Sequence, residues 1–321
     1  TARSAAVLIE LETTGAGDIT LTGDNLGVFS SAGANVTITT AAGDISLTGA
    51  NSHDNAYGLR VTDYADASLS SSGGSISIDG HATAAGKEGI GVESTVGTTV
   101  TITGSDISIA GTAAVDANGY AIKSTASGVV NVNGTAGDDH MHFTGRLYAV
   151  TTNSTIDAGA GNDVISIDHA VEGGQMYIDG GSGWDTLNVG RMSDGGILDC
   201  GDLLFNSRLF GFEAIDLTDG NNETLKISQA NLGDLLNQMS AGAELSFTHT
   251  GGTESAVHAL TVMGDAGDAL QLDNGAGWAS RGTASAVSGM YGDAAGYSYD
   301  VWENASGEFL LVQQGLIVGF I

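Results

Sequence analysis

The sequence predicts an all-β chain: a right-handed parallel β-solenoid with three strands per coil, followed by a smaller β-rich cap. Three observations carry that prediction. Proline is absent from all 321 residues, where an average protein has about 5 %. Apolar and polar residues alternate with the period of two that marks half-buried strands. Three glycine-rich turns, each closed by an aspartate, punctuate the middle of the chain.

Each observation has a physical reason. Proline lacks the N–H that a strand ladder needs, so a chain made almost wholly of paired strands and tight turns excludes it. Gly and Ser are abundant, but Val, Ile, Leu and Thr recur in alternation, which argues against disorder. The chain opens with an apolar run, Ala5 to Leu11, read as a capping strand. A repeat then appears. GVFSSAGANVTITTAAGDISLTG (27–49) aligns with GLRVTDYADASLSSSGGSISIDG (58–80) and with GVESTVGTTVTITGSDISIAG (91–111). GYAIKSTASGVVNVNG (119–134) follows more loosely, and the starting glycines lie 31, 33 and 28 residues apart. Three short alternating segments per unit make one coil of a three-faced solenoid. NSHDNAY (51–57) and DGHATAAGKE (79–88) read as loops projecting from one corner.

The glycine turns extend the same repeat. GTAGDDHMHF (134–143), AGAGNDVISI (158–167) and GGSGWDTLNV (180–189) place Asp139, Asp163 and Asp185 24 and 22 residues apart. They match the nonapeptide G-G-x-G-x-D-x-U-x; only the third copy fits at every fixed position, with Thr135 and Ala158 the exceptions in the other two. Glycine reaches positive φ without a Cβ clash, so its backbone can curl carbonyls toward a common point. Ca²⁺ takes about 6–8 oxygens, a number that carbonyls from two stacked turns and an aspartate from each can supply. The expected ligand set is Asp139, Asp163 and Asp185, with Gly134, Gly137, Asp138, Gly159, Gly161, Asn162, Gly181 and Gly183. Two Ca²⁺ sites are expected, one between each neighbouring pair of turns. Met141, Ile165 and Leu187, two places beyond the aspartates, are expected to point into the core.

After Gly190 the pattern degrades. LFGFEAIDLTDGNNETLKIS (209–228) keeps strand character, NLGDLLNQM (231–239) has helical spacing, and GDAGDALQL (264–272) resembles the calcium turn again with Asp268 in the ligand position. SYDVWENASGEFLLVQQGLIVGFI reads as an apolar hairpin covering the open end. Three segments result: coils without metal (1–134), calcium-binding coils (135–190), and degenerate coils with a cap and one short helix (191–321).

Residues 134–189 resemble the RTX, haemolysin-type calcium-binding repeat family, and the C-terminal segments look like the end of large RTX adhesins of Gram-negative bacteria. The resemblance implies type I secretion, folding triggered by extracellular calcium, and a role at the cell surface or in the matrix. One motif per coil, rather than contiguous nonapeptides, would put metal at a single corner.

Charge narrows the function classes. With 38 acidic and 9 basic residues the formal net charge is −29, a surface that repels nucleic acid and anionic lipid and attracts divalent cations. It suits a secreted, calcium-rich compartment. No membrane-spanning apolar run or signal peptide is present, and a start at Thr1 reads as an excised or processed piece. The single cysteine, Cys200, excludes an intrachain disulfide and reads as a buried small apolar residue.

Enzymatic chemistry finds no constellation. Lysine occurs only at 87, 123 and 226; His140 and His142 should point outward, and His53, His81 and His169 read as loop residues. No CxxC, HExxH, P-loop or Ser/His/Asp spacing occurs. The best acidic and aromatic cluster, His53, Asp54, Asp63, Tyr64 and Asp66, reads as a solvated corner. The expected function is therefore structural: a calcium-dependent surface-layer, matrix or filament subunit, able to form a head-to-tail homo-oligomer through its apolar ends. The alternative is an adhesin module whose loops 51–57 and 79–88 touch a cell-surface glycan or a partner; a carbohydrate-active β-helix enzyme ranks third.

Overall fold

The computed structural model describes residues 8–24, 26–30, 33–114, 119–150, 153–169, 171–173, 175–189, 197–199, 208–239 and 243–321. Cys200 and the start of the Ala5–Leu11 run lie outside them. The chain is all-β in class, with mostly parallel sheets, and divides into two compact units, 1–158 with 167–177 and 159–166 with 178–321.

In the first unit strands pair in parallel with strands three places away in chain order. One sheet takes Leu8–Thr13, Asn35–Thr40, Asp66–Ser71, Thr99–Thr103, Val129–Asn133 and Ser154–Asp157. A second takes Ile19–Gly23, Ile45–Asn51, Ser75–Ala82, Asp106–Ala113 and His140–Thr144. A third takes Leu26–Ser30, Ala56–Val61, Gly89–Ser94, Gly119–Ser124, Arg146–Ala149 and Val171–Glu172.

Register follows from the alternation, because a slip of one residue would turn every apolar side chain outward. Ile38, Leu69, Ile102, Val132 and Ile156 are successive partners, all fully buried. Ile45, Ile76, Ile107 and Met141 form a second such row, and Leu59, Val92, Ile122 and Leu147 a third. Where the chain leaves the second sheet, a Cβ at Gly80 would overlap the Ile90 carbonyl and one at Gly111 the Tyr120 carbonyl, so only glycine fits.

The corners of this unit are closed by hydroxyls. Thr40 Oγ1 donates to the Gly43 carbonyl at 2.7 Å and Ser71 Oγ to the same carbonyl at 3.0 Å. Ser94 meets Thr98 Oγ1 at 2.6 Å, and Ser124 Oγ donates to the Gly128 carbonyl at 2.6 Å. Short hydroxyl side chains satisfy turn backbone locally, so these corners do not depend on apolar packing alone.

In the second unit Val164–Ile167, Thr186–Asn188, Ala214–Asp216, Ala259–Met263 and Phe309–Gln313 continue in parallel. Ile165, Leu187, Ile215, Val262 and Val312 form their buried row. Ile197–Asp199, Thr224–Ile227, Ala269–Leu272 and Ile317–Phe320 make a second parallel sheet. Tyr299–Glu303 returns antiparallel against Phe309–Gln313, as the terminal hairpin expected from sequence. The expected helix spans Gln229–Gln238, capped by Ser228, whose side chain accepts from Asn231 N–H while Ser228 N–H donates to Asn231 Oδ1. Its apolar face buries Leu232, Leu235 and Leu236.

Both predicted loops are shorter than expected. Asn51 ends the strand Ile45–Asn51 and Ala56 begins Ala56–Val61, so the first loop is shorter than 51–57. Asp79–Ala82 belong to the strand Ser75–Ala82, so the second is shorter than 79–88 and His81 sits on a strand. The cause is register: Gly80 and His81 pair with Gly49 and Ala50, which extends the ladder beyond the alternating core. No helix among the described residues is long and apolar enough to cross a membrane.

Candidate metal centre

The second and third glycine turns both lie in the second unit and share one backbone conformation. Gly159 and Gly181 have φ of 100° and 97°, and Gly161 and Gly183 have φ of 143° and 136°. Such angles suit glycine alone. The turns stack directly: Ser182 N–H donates to the Gly159 carbonyl and Gly161 N–H to the Ser182 carbonyl, both at 2.9 Å. A Cβ at Gly181 would overlap the Gly159 carbonyl oxygen, and one at Gly183 the Gly161 carbonyl oxygen. Gly183→Ala is therefore expected to lower the melting temperature by several degrees, more than an Ala substitution at Ser182 in the same turn; thermal denaturation of the two variants checks this.

The aspartates do not face solvent. Asp163 and Asp185 are 1 % and 0 % exposed. Asp163 N–H donates to Asp185 Oδ1 at 2.8 Å, and Asp185 N–H to Glu213 Oε2 at 2.7 Å. Each carboxylate thus reaches back to the main chain of the preceding repeat. Asn162 ties the turns in the other direction, its Oδ1 accepting from Trp184 N–H of the following repeat at 3.0 Å. Asp185 Oδ2 is buried and has no hydrogen-bond partner. Burial pushes the Asp185 carboxyl up to about 9, helped by the carboxylates of Glu213, Asp163 and Asp179 and opposed by the Asp163 N–H. A carboxylate so placed needs either a proton or a cation.

The first turn is built differently. Neither Thr135 nor Gly137, the counterparts of the positive-φ glycines in the other two turns, has positive φ, and the Asp139 carboxylate accepts from Thr135 N–H and, at 2.9 Å, from Thr135 Oγ1. The reason is Thr135: a β-branched residue resists the left-handed backbone that glycine takes at this position, and its hydroxyl captures the aspartate. Asp139 is nonetheless fully buried, while Asp138 is exposed. Of the expected ligand residues, the second unit brings together Gly159, Gly161, Asn162, Asp163, Gly181, Gly183 and Asp185. Gly134, Gly137, Asp138 and Asp139 belong to the first unit. Met141, Ile165 and Leu187 point into the core as expected.

A related pair sits in the other parallel sheet of the second unit. Glu223 N–H donates to Asp268 Oδ1 at 2.9 Å, Asp265 N–H donates to Asp268 Oδ2 at 2.7 Å, and both acids are buried. Gly267 there has φ of 119°. In the first unit the comparable contacts are exposed: Ser75 N–H to Asp44 Oδ1 and Thr99 N–H to Asp66 Oδ1, both 2.8 Å.

Among the described residues no three His, Cys, Asp or Glu side chains converge as a metal-ligand group. A cation at the stacked turns would therefore take most of its oxygens from glycine-turn carbonyls, with the aspartates supplying charge. The donor set is all oxygen, which suits a hard cation such as Ca²⁺.

Sequence reasoning missed Glu213. The signal was present, because Phe212-Glu213-Ala214-Ile215 repeats the aromatic–acid–x–aliphatic order of Trp184-Asp185-Thr186-Leu187, and the strands pair in that register.

The first unit carries a different feature on its third sheet. Arg60 stacks on Tyr57 at 4.6 Å and pairs with Glu93 at 2.5 Å. Lys123 and Arg146 each lie 4.8 Å from the Tyr120 ring centre, and pair with Glu88 and Glu172. Tyr148 packs edge-on to Tyr120. Asp54 and Lys87, in the two sequence-predicted loops, pair at 3.0 Å. His142 Nε2 lies 3.1 Å from Asp168 Oδ1.

No family model, curated protein or solved structure matches the chain.

Proposed function

We propose that the protein is a calcium-stapled parallel β-solenoid with a structural or adhesive role outside the cell, in a surface layer, biofilm matrix or filament. The observation that carries it is the stack of two identical glycine turns, 159–163 on 181–185, with two buried aspartates in a chain of net charge −29. Supporting the solenoid is the rule that strands pair in parallel three places apart. Calcium at the stacked turns neutralises the carboxylates and holds successive coils in register. The resemblance to haemolysin-type repeats points the same way, to a secreted protein of a Gram-negative bacterium that orders when it meets extracellular calcium.

The test pairs thermal melts followed by circular dichroism, in millimolar calcium and in EDTA, with calcium counting by equilibrium dialysis. A higher melting temperature in calcium and stoichiometric binding that falls in Asp163→Ala are expected. Equal melts and no bound calcium would refute the role. Head-to-tail association would appear as calcium-dependent growth in light scattering; a strict monomer at high concentration in calcium excludes it.

A second role, as a glycan- or partner-binding adhesin module, is favoured by the third-sheet face. Three of the nine basic residues, Arg60, Lys123 and Arg146, lie there with Tyr57, Tyr120 and Tyr148, and Lys87 pairs with Asp54 in the adjoining loops. Glycan-array binding lost in Tyr120→Ala, with the melt unchanged, would distinguish it.

A further inference from the structure

The row of acids does not stop where the glycine motif stops. Gly180 N–H donates to the Phe210 carbonyl at 2.9 Å, as Gly134 N–H donates to the Asp157 carbonyl at 2.7 Å in the first unit. Gly211 therefore stands opposite Gly180 as Ala158 stands opposite Gly134. From that point the chain reaches its acid in two residues, Phe212 and Glu213, where the preceding repeat uses five to reach Asp185. The turn is shorter by three residues, and the acid is longer by one methylene. The longer side chain still arrives: Glu213 Oε2 accepts from Asp185 N–H at 2.7 Å, and Glu213 is fully buried.

The space beside Gly180 is filled by the Gly211 carbonyl and by the Asp185 side chain. A Cβ there would overlap the Gly211 carbonyl oxygen and stand 3.0 Å from Cγ of Asp185. A related carbonyl contact occurs at Gly134, where a Cβ would overlap the Ala158 carbonyl oxygen, with the oxygen Asp139 Oδ2 rather than carbons of the acid nearest, at 2.5 Å. Asp185, whose Cβ and Cγ line this space, has its Oδ2 buried and without a hydrogen-bond partner. One strand further on the row of acids ends: Ala214 pairs with Thr261, which sets the buried Leu260 opposite Glu213.

We propose that Glu213 is a cation ligand supplied from outside the glycine motif, and that the interval between Gly180–Asp185 and Gly211–Glu213 binds one divalent cation of the calcium type. The proposal rests on the calcium role above, and adds a site that the glycine pattern does not mark. Two carboxylates balance one divalent charge, and the Gly211 carbonyl contributes a third oxygen donor to a site that completes itself with further oxygens. Leu260, opposite Glu213 on the next strand, closes the row because it brings neither charge nor side-chain oxygen to a further cation.

The test counts calcium bound to the whole chain by equilibrium dialysis with Ca²⁺ alone, for the native protein, Asp163→Asn, Glu213→Gln and Glu213→Asp. Glu213→Gln keeps an acceptor for Asp185 N–H and removes the charge; it is expected to bind one calcium fewer per chain with an unchanged far-ultraviolet circular dichroism spectrum in calcium. Glu213→Asp keeps the charge but shortens the reach, and is expected to lose the same calcium. Should Glu213→Gln fail to fold, Glu213→Asp decides alone. If Asp163→Asn loses calcium while both Glu213 variants retain the native count, the Glu213 site is wrong and the glycine-turn role stands. If the native chain binds none, both fall.

Discussion

Asp185→Asn should change sign with the metal. In EDTA the variant is expected to match or exceed the native protein in stability. Asparagine still offers an Oδ1 acceptor to Asp163 N–H, and it removes a buried carboxyl crowded by Glu213, Asp163 and Asp179. In calcium the order should reverse. A ligand at about a thousand times its dissociation constant stabilises by about 4 kcal/mol, and a chain lacking the Asp185 charge forfeits most of that. Urea denaturation of both proteins in both buffers gives four midpoints. A variant less stable than native in EDTA, and by the same margin in calcium, would mean that Asp185 is a structural acceptor with no cation to neutralise it.

The second large effect is a pH dependence of the calcium-free protein. Asp185 has its carboxyl raised to about 9 when folded, chiefly by burial, from an ordinary value of 3.8. Between those limits the folded state holds a proton that the unfolded chain has released, so stability falls as pH rises. The contribution is fully present below the unfolded value and is lost as pH climbs through about 9. Its slope approaches about 1.4 kcal/mol per pH unit inside that window. Other acids titrate too, so the quantity to compare is the native protein minus Asp185→Asn, in EDTA, from pH 5 to 9 (a range set by about 4 and 9 as the two limits). The difference should move steadily against the native protein. Calcium replaces the proton and should flatten it. A difference that does not vary with pH would show that the carboxyl ionises freely in the fold.

Much of the fold was legible because the physics is local and repeated. Period-two alternation alone places Ile38, Leu69, Ile102 and Val132 in one buried row, since the pleat allows no other face. The glycine turns were legible for the same reason: Gly159, Gly161, Gly181 and Gly183 take backbone angles that other residues avoid. The buried state of the aspartates was less visible. Aspartate in a turn ordinarily faces water, and only the stacking of one repeat on the next turns Asp163 and Asp185 inward. Glu213 was hidden because its turn is three residues shorter, leaving only Gly211, the aromatic residue and the acid as a trace. Thr135 looked like a tolerated exception in the first turn, yet its methyl group and hydroxyl together give that turn another conformation. The hydroxyl corners at Thr40, Ser71, Ser94 and Ser124 are not legible in the sequence, because serine and threonine serve strands and turns alike.

The most direct test is a crystallographic anomalous difference map of the protein grown in saturating calcium and again with terbium. A peak between the 159–163 and 181–185 turns, within coordination distance of glycine carbonyls and an aspartate oxygen, is predicted. Those turns stacked as described but bare of any peak under both conditions would contradict it, and would leave the buried acids as protonated hydrogen-bond acceptors.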